Sequence, residues 1–275
     1  MLDARPATFD AVAETYDSTF SRTELGRLLR ERTRTRLARF EPGTRVLELG
    51  CGTGEDAVWL AKRGVNVLAT DASPAMLEQT RAKAQRAGVD AQIETQVVDL
   101  EKPPPLPRLA GEGQRVGVFD GAFSNFGALN CVRDLKPLAR WLAAQVKPGG
   151  RVVLVVMGPL CPWEIAHAVH YRDWQTATRR LRREGVIANV GGNLVRVFYP
   201  GPRAVAKIFA PYFRQTHLEG IGVLLPPPYL PGLAARRPHL IQRLANWEAR
   251  VASRFPFNLM GDHYLSELAR VESRS

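Results

Sequence analysis

Val46-Leu47-Glu48-Leu49-Gly50-Cys51-Gly52-Thr53-Gly54 is the stretch whose reading decides the fold. Apolar residues lead into three glycines at alternate positions. Glu55 and Asp56 follow, and then Ala57, Val58, Leu60 and Ala61 recur at helical spacing. The pattern predicts a strand, a turn without side-chain bulk and a helix start, an arrangement that brings backbone N–H groups close to a ligand. A dinucleotide fingerprint carries its third glycine three positions after the second. Here that position is Glu55, whose carboxylate would face a pyrophosphate. The spacing therefore disfavours a phosphate-bearing ligand, and a nicotinamide-dependent oxidoreductase with it.

Further landmarks follow at strand–helix spacing. Val65 to Thr70 reads as a second strand ending at Asp71, twenty-one residues beyond Gly50, where a carboxylate can accept hydrogen bonds from a ribose diol. Ser73-Pro74 opens a helix with Met76 and Leu77 facing inward. Val97-Val98-Asp99-Leu100 reads as the next strand end, Phe119 to Asn125 as the fourth strand, and Val146 to Arg151 as the turn into the fifth. Alternation of strand and helix from 44 to 157 argues for a parallel, doubly wound sheet.

Together these landmarks resemble class I S-adenosylmethionine-dependent methyltransferases of the small-molecule, UbiE-like type, over residues 9–157 above all. The resemblance implies an α/β, Rossmann-like, seven-stranded doubly wound sheet with helical and hairpin cap insertions, and S-adenosylmethionine as cofactor. It places the methionine part over Gly50, Cys51, Gly52 and Gly54, with Glu48 near its amino group. Asp71 would meet the ribose and Asp99 the adenine amino group, and Ala72, Met76, Leu100, Ser124 and Asn125 complete the expected cofactor-binding residues. Phe9 to Asp17 resembles the short helix that closes over the cofactor in this family, with Tyr16 facing it. The residues themselves predict an amphipathic helix packing Phe9, Val12 and Tyr16 on the sheet, which is compatible with that role.

The expected organisation is one methyltransferase domain over 1–275. Lid helices occupy 1–41, the cofactor-binding core 42–157, a cap insertion 158–200, and the last core elements 201–275 with an insertion at 226–260. A helix over 24–40 stops at Pro42-Gly43. The prolines at 103–107 and Gly111-Glu112-Gly113 mark a stiff surface loop. In the cap, Trp163 to Glu184 reads as a helix with Trp163, Ala166, Val169, His170 and Trp174 on one face. Val186 to Val190, Gly191-Gly192 and Asn193 to Tyr199 read as a hairpin. Pro202 to Phe213 reads as a helix, Gln215 to Leu225 as the sixth strand and Asp262 to Arg270 as the seventh. The 226–260 insertion carries Ile241, Leu244, Trp247 and Val251 at helical spacing.

Candidates for chemistry lie beyond the carboxyl ends of the strands. They are Ser124, Asn125 and Asn130 after the fourth strand, and Trp163, Glu164, His167 and His170 after the fifth. Asn125, Glu164, His167 and His170 are the catalytic candidates, and the last three fall on one helix face, as a base relay or a metal site would require. A packed cap helix explains the same spacing, and no metal is expected. His217 and His263 fall in strands and read as structural. Phe126, Leu129, Trp163, Tyr171, Trp174, Phe198 and Tyr199 would favour a small apolar or aromatic acceptor, methylated at O, N or C. RNA or protein methylation and a non-catalytic cofactor-binding role are the alternatives. Ser124-Asn125-Phe126-Gly127 stands where DNA amino-methyltransferases carry Asn-Pro-Pro-Tyr, which argues against DNA bases.

Composition agrees with this. The chain of 275 residues is 45% apolar, enough for a sizeable core, and its three cysteines form no even disulfide framework, so a cytoplasmic, reducing setting is expected. The N-terminus has no signal-like apolar run, and the apolar stretch Val152 to Met157 is too short to span a bilayer. The net charge of +11 would suit nucleic acid. Yet the arginines at 27, 30, 32, 34, 36 and 39 are spread along a helix, as on a solvated face, and the tight cluster Arg179, Arg180, Arg182 and Arg183 reads the same way. No aromatic platform accompanies it. Nucleic acid is therefore not the expected partner, and the chain should act as a monomer or homodimer on a small molecule.

Overall fold

The structure, a computed structural model, describes residues 7–18, 23–104, 118–228 and 236–272. Its centre is a seven-stranded sheet of order β3-β2-β1-β4-β5-β9-β8. β1 (Arg45–Leu49), β2 (Asn66–Asp71), β3 (Ile93–Val97), β4 (Phe119–Ser124) and β5 (Val146–Met157) run parallel. β9 (His263–Arg270) is antiparallel to both β5 and β8 (Phe213–Ile221). Chain order leaves β1 in one direction and then the other, to β2 and to β4. A crevice therefore opens above the carboxyl ends of β1 and β4, the usual ligand position in such sheets.

Alternation along β1 builds both layers. Val46 joins the core formed with α2 (Glu24–Leu37), α3 (Glu55–Ala61) and α9 (Pro238–Val251), whereas Leu47 and Leu49 face the core formed with α5 (Leu135–Gln145) and α8 (Pro202–Phe209). Helix starts follow their local chemistry. Thr23 caps α2 by accepting from Gly26 N–H, and Ser73 caps α4 (Pro74–Ala87) by accepting from Met76 N–H. Pro74 then occupies the first turn and Gly88 ends the helix in the left-handed region.

Several expectations are corrected. The cap helix expected over 163–184 is two short helices, α6 (Pro162–His170) and α7 (Trp174–Thr178). Arg172 takes a left-handed conformation, and Asp173 caps α7 by accepting from Thr176 N–H, so the chain starts a new helix there. The expected apolar face is not buried. Val169, His170 and Trp174 are exposed, and α6 buries Glu164 and Ala168 instead. Near the N-terminus the expected helix is interrupted: α1 (Ala7–Asp10) is followed by turns over residues 11–15 and by helical residues at 16–18. α8 ends at Phe209 because Phe213 already begins β8. The hairpin forms as β6 (Val186–Val190) and β7 (Asn193–Val197). In α9, Ile241 is buried but Trp247 is 61% exposed. Pro105 to Pro107 and Gly111-Glu112-Gly113 lie outside the described residues, as does part of the 226–260 insertion.

Of the arginines of α2, Arg27 lies on a solvated face beside Glu31, but the other four do not. Arg30 and Arg34 bind Asp56 on α3, Arg32 binds Glu219, and Arg36 reaches His217 and Glu267 on the sheet's far edge. They are the bolts between a basic helix and an acidic layer beneath it.

Candidate functional site

β1 ends at Leu49, and the glycine turn then crosses to α3. Gly50, Gly52 and Gly54 all have positive φ. At Gly50 a Cβ would also overlap the Cβ of Ala128, so both conformation and space demand glycine there. Cys51 N–H donates to Thr70 O at 2.8 Å, and Gly52 N–H donates to Asp71 Oδ2 at 2.8 Å. Asp71 Oδ1 accepts from Ser73 N–H at 2.9 Å. Burial raises the Asp71 carboxyl, and the N–H groups of Ser73 and Gly52 oppose that rise.

Asp56, in the first turn of α3, is the hub beneath the turn. It accepts from Arg30 Nη1, from Arg34 Nε at 3.0 Å and from Asn125 Nδ2 at 2.7 Å. Asn125 is thereby oriented with Nδ2 toward Asp56, while its buried Oδ1 has no partner. Glu48 is 2% exposed and its Oε2 is likewise without a partner. Burial pushes the Glu48 carboxyl well above the usual range, with the Asp56 charge adding to the effect and Arg30 opposing it. Two buried acceptors in want of donors thus flank one crevice, beside the Arg30 guanidinium.

Arg30, Glu48, Gly50, Cys51, Gly52, Asp56, Asp71 and Asn125 line a cavity of about 430 Å³, within the range of small-molecule sites. One half is bounded by Tyr16, the glycine turn, Asp71, Ala72, Met76, Asp99 and Leu100. The other is walled by Phe126, Met157, Arg179 and Tyr199, and roofed by the hairpin. The roof follows from strand alternation. Ala188, Val190, Val195 and Val197 point into the cavity, while Ile187 and Leu194 point to solvent. Burial raises the Tyr16 hydroxyl and takes the Cys131 thiol up to about 12, so both stay protonated at neutral pH.

The segment before α2 closes the front. Asp10 accepts from Ser73 Oγ and from Ala75 N–H at 3.2 Å, adding a second cap to α4. Asp17 holds Thr53 Oγ1 at 2.6 Å and Lys83 Nζ at 2.7 Å. Between these two anchors, Val12 packs so close to the hairpin tip that a Cβ on Gly191 would overlap its Cγ1.

The expected residues separate on this frame. Tyr16, Glu48, Gly50, Cys51, Gly52, Asp71, Ala72, Met76, Asp99, Leu100 and Asn125 line the cavity; Gly54 and Ser124 do not. Ser124 is fully buried and its hydroxyl donates to Leu49 O at 2.9 Å, tying β4 to β1. Gly54 packs against Thr80 at the start of α3. Asn130 bonds to both Met157 and Phe198, clamping the loop after β4 to the cap.

Glu164, His167 and His170 are not brought together at the cavity. Glu164 accepts from Arg179 Nη2 at 2.6 Å and Arg180 Nη2 at 2.9 Å, and Arg180 Nη2 continues to Asp262 Oδ1 at 2.7 Å. His167 and His170 are exposed and pack on the Tyr171 ring. No group of metal-ligating side chains occurs among the described residues. Arg179 and Arg180 are thus part of a mostly buried ion network rather than a solvated face. His217 sits with Arg36 behind the sheet, and the buried His263 packs edge-on to Phe126.

Arg30, Asp56 and Arg179 were not among the expected site residues. Arg30 had one available signal: it interrupts the buried stripe Leu25, Leu29, Thr33 and Leu37, where a charge demands a partner.

Comparison with known proteins agrees with this geometry. Residues 46–150 match the family model of a methyltransferase domain. The chain is 32% identical over 163 residues to a demethylmenaquinone methyltransferase of Mycolicibacterium paratuberculosis, covering 56% of this chain and 61% of that protein. It is 35% identical over 114 residues to an S-adenosyl-L-methionine-dependent Diels-Alderase, iccD, of Talaromyces variabilis, covering 41% of this chain and 36% of that one. The chain therefore spans less than two thirds of the length of these relatives. Among solved structures, the cyclase SpnF superposes with a TM-score of 0.62 at 17% identity, covering 97% of this chain and 94% of that one, a likeness of fold. Residues 46–150 are thus similar to a methyltransferase domain, and the seven-stranded sheet has the Rossmann-like fold of class I S-adenosylmethionine-dependent methyltransferases.

Proposed function

We propose that the protein transfers the methyl group of S-adenosylmethionine to a C, N or O atom of a small apolar or aromatic acceptor. One observation carries this reading: the glycine turn, Asp71 and the two orphaned acceptors Glu48 Oε2 and Asn125 Oδ1 share a single cavity with an apolar roof. The donor set fits the cofactor. An α-ammonium supplies donors to Asn125 Oδ1 and to Glu48 Oε2 in its carboxylate form, Arg30 matches a carboxylate, and Asp71 has lone pairs left for a ribose diol. The sulfonium supplies an electrophilic methyl for in-line displacement.

The chain's residues then orient and exclude water. Tyr16 and the strap from Asp10 to Asp17 close one side, and the hairpin closes the other, so the acceptor meets the methyl in a dry, fixed geometry. Phe126, Met157, Arg179 and Tyr199 offer neither a carboxylate nor an imidazole, while Glu101 lines the same cavity. An acceptor that arrives as a ready nucleophile, or that ionises next to Arg179, needs no base from that wall. An aromatic quinol, the reduced form of the kind of quinone that the demethylmenaquinone methyltransferases are named for, is the first acceptor to test.

The experiment is incubation with S-adenosylmethionine and a panel of quinols, phenols and amines. A product heavier by one CH₂ unit, with stoichiometric S-adenosylhomocysteine, is the expected result. Absence of binding of either cofactor form by calorimetry would refute it. A second reading is cyclisation of a bound polyene, as the Diels-Alderase and cyclase relatives are named for. The apolar side chains of the acceptor half suit it equally, and a product of unchanged mass would distinguish it.

A further inference from the structure

Helix α9 carries a surface that the proposed methyl transfer does not use. Its inner face is fixed. Ile241 is buried among the α2 leucines, and Glu248 accepts from Gly222 N–H and Leu224 N–H, each at 2.8 Å. At its end Ala252 O accepts from Gly220 N–H at 2.9 Å. The orientation of the helix is therefore set, and its outer face is presented rather than left loose.

That face is unusual in composition. Leu240, Trp247 and Phe255 are 41%, 61% and 75% exposed. Arg243 and Arg250 lie four residues before and three after Trp247, on the same side of the helix. Arg236, Arg237 and Arg254 extend the charge at either end, and all five arginines are exposed. The single acid of the segment from 236 to 255 is Glu248, which is buried and faces inward. Positive charge here has no exposed acidic neighbour on its own segment, unlike the α2 arginines.

We infer that the outer face of α9 docks on an anionic lipid bilayer. Charge complementarity and the apolar side chains together select this occupant. A nucleic-acid backbone would pair with the arginines but leave Leu240, Trp247 and Phe255 in water. At a bilayer surface the indole and the two apolar side chains enter the boundary between headgroups and acyl chains, while the arginine stems lie along it with their guanidinium groups on the phosphates. The helix lies in the surface and does not cross it; no described helix is long and apolar enough to span a membrane. None of these residues lines the cavity, so the inference stands apart from the reading of the cavity.

The test is co-sedimentation of the full chain with phosphatidylcholine vesicles, with and without phosphatidylglycerol, at low and high salt. Binding should require phosphatidylglycerol and weaken with salt. Replacing one arginine, as in Arg243→Gln, should cost about fivefold in affinity, and Trp247→Ala about tenfold. Quenching by brominated acyl chains should diminish in Trp247→Phe. Calorimetric binding of S-adenosylhomocysteine should be unchanged in every variant, which separates loss of docking from loss of fold and from failure of the cofactor reading. Equal binding to neutral and anionic vesicles, or no binding to either, would overturn the inference. So would capture by a DNA or RNA oligonucleotide that is lost in Arg243→Glu but kept in Trp247→Ala.

Discussion

Gly52 N–H donates to Asp71 Oδ2 at 2.8 Å, so the carboxylate at the end of β2 holds the glycine turn in place. Ligand and loop depend on the same side chain. Asp71→Ala is expected to weaken S-adenosylhomocysteine binding by about 1–3 kcal/mol, through lost ligand bonds and an unfastened turn. Calorimetry measures the first effect. Faster amide exchange at Gly52 in the ligand-free variant reports the second, and unchanged exchange would show that the turn holds itself.

Glu48 gives the site a pH dependence of predictable sign. Burial raises its carboxyl well above the usual range, so without ligand it keeps its proton at pH values where a free glutamate has lost it. A bound ammonium needs the carboxylate form. Cofactor affinity should therefore rise with pH through the Glu48 titration, with a proton released on binding that calorimetry in two buffers detects. Glu48→Gln should abolish the release. The unliganded fold behaves oppositely: a raised carboxyl pKa contributes stability below the unfolded value, about 4.3, that is lost as pH climbs through the folded one.

The network of Glu164, Arg179, Arg180 and Asp262 is structural and can be tested as such. Arg180→Met leaves two buried carboxylates short of their shared cation and should cost about 3–5 kcal/mol in thermal or denaturant unfolding. His263 and Arg180 hold Asp262 below the usual carboxylate range. Its contribution is present above the unfolded value, near 3.9, and fades as pH falls toward the folded one, so the cap should loosen in acid. A stability near wild type in Arg180→Met would mean that the network carries no structural weight.

Gly191 touches Val12 across the front of the cavity, joining hairpin to strap. Gly191→Ala puts a methyl where Val12 sits, in a left-handed conformation that costs about 1–2 kcal/mol by itself. The strap should part from the hairpin, giving faster proteolysis before residue 18 and weaker cofactor retention. Gly192, with positive φ but open space around a Cβ, is the matched control.

What the sequence made legible was local in origin. The glycine turn, the acids at the ends of β2 and β3, and the caps of α2 and α4 are short-range patterns in which residue type dictates backbone, and most of the cofactor half follows from them. The acceptor half does not. Arg179 and Tyr199 reach the cavity only because the cap chain breaks at Arg172 and folds back. Ser124 and Asn125 are neighbours, yet strand alternation buries one hydroxyl against Leu49 O and turns the other side chain toward Asp56.

By itself, then, the sequence determined a strand–turn–helix unit with carboxylates at set distances, because those features are written in spacing along one chain. Tertiary structure alone decided which charges are paired and which are presented. The arginines of α2 close onto Asp56, Glu219 and Glu267, while those of α9 face outward around Trp247. Both helices carry arginines among apolar residues. They differ in what lies across from them, and long-range packing sets that.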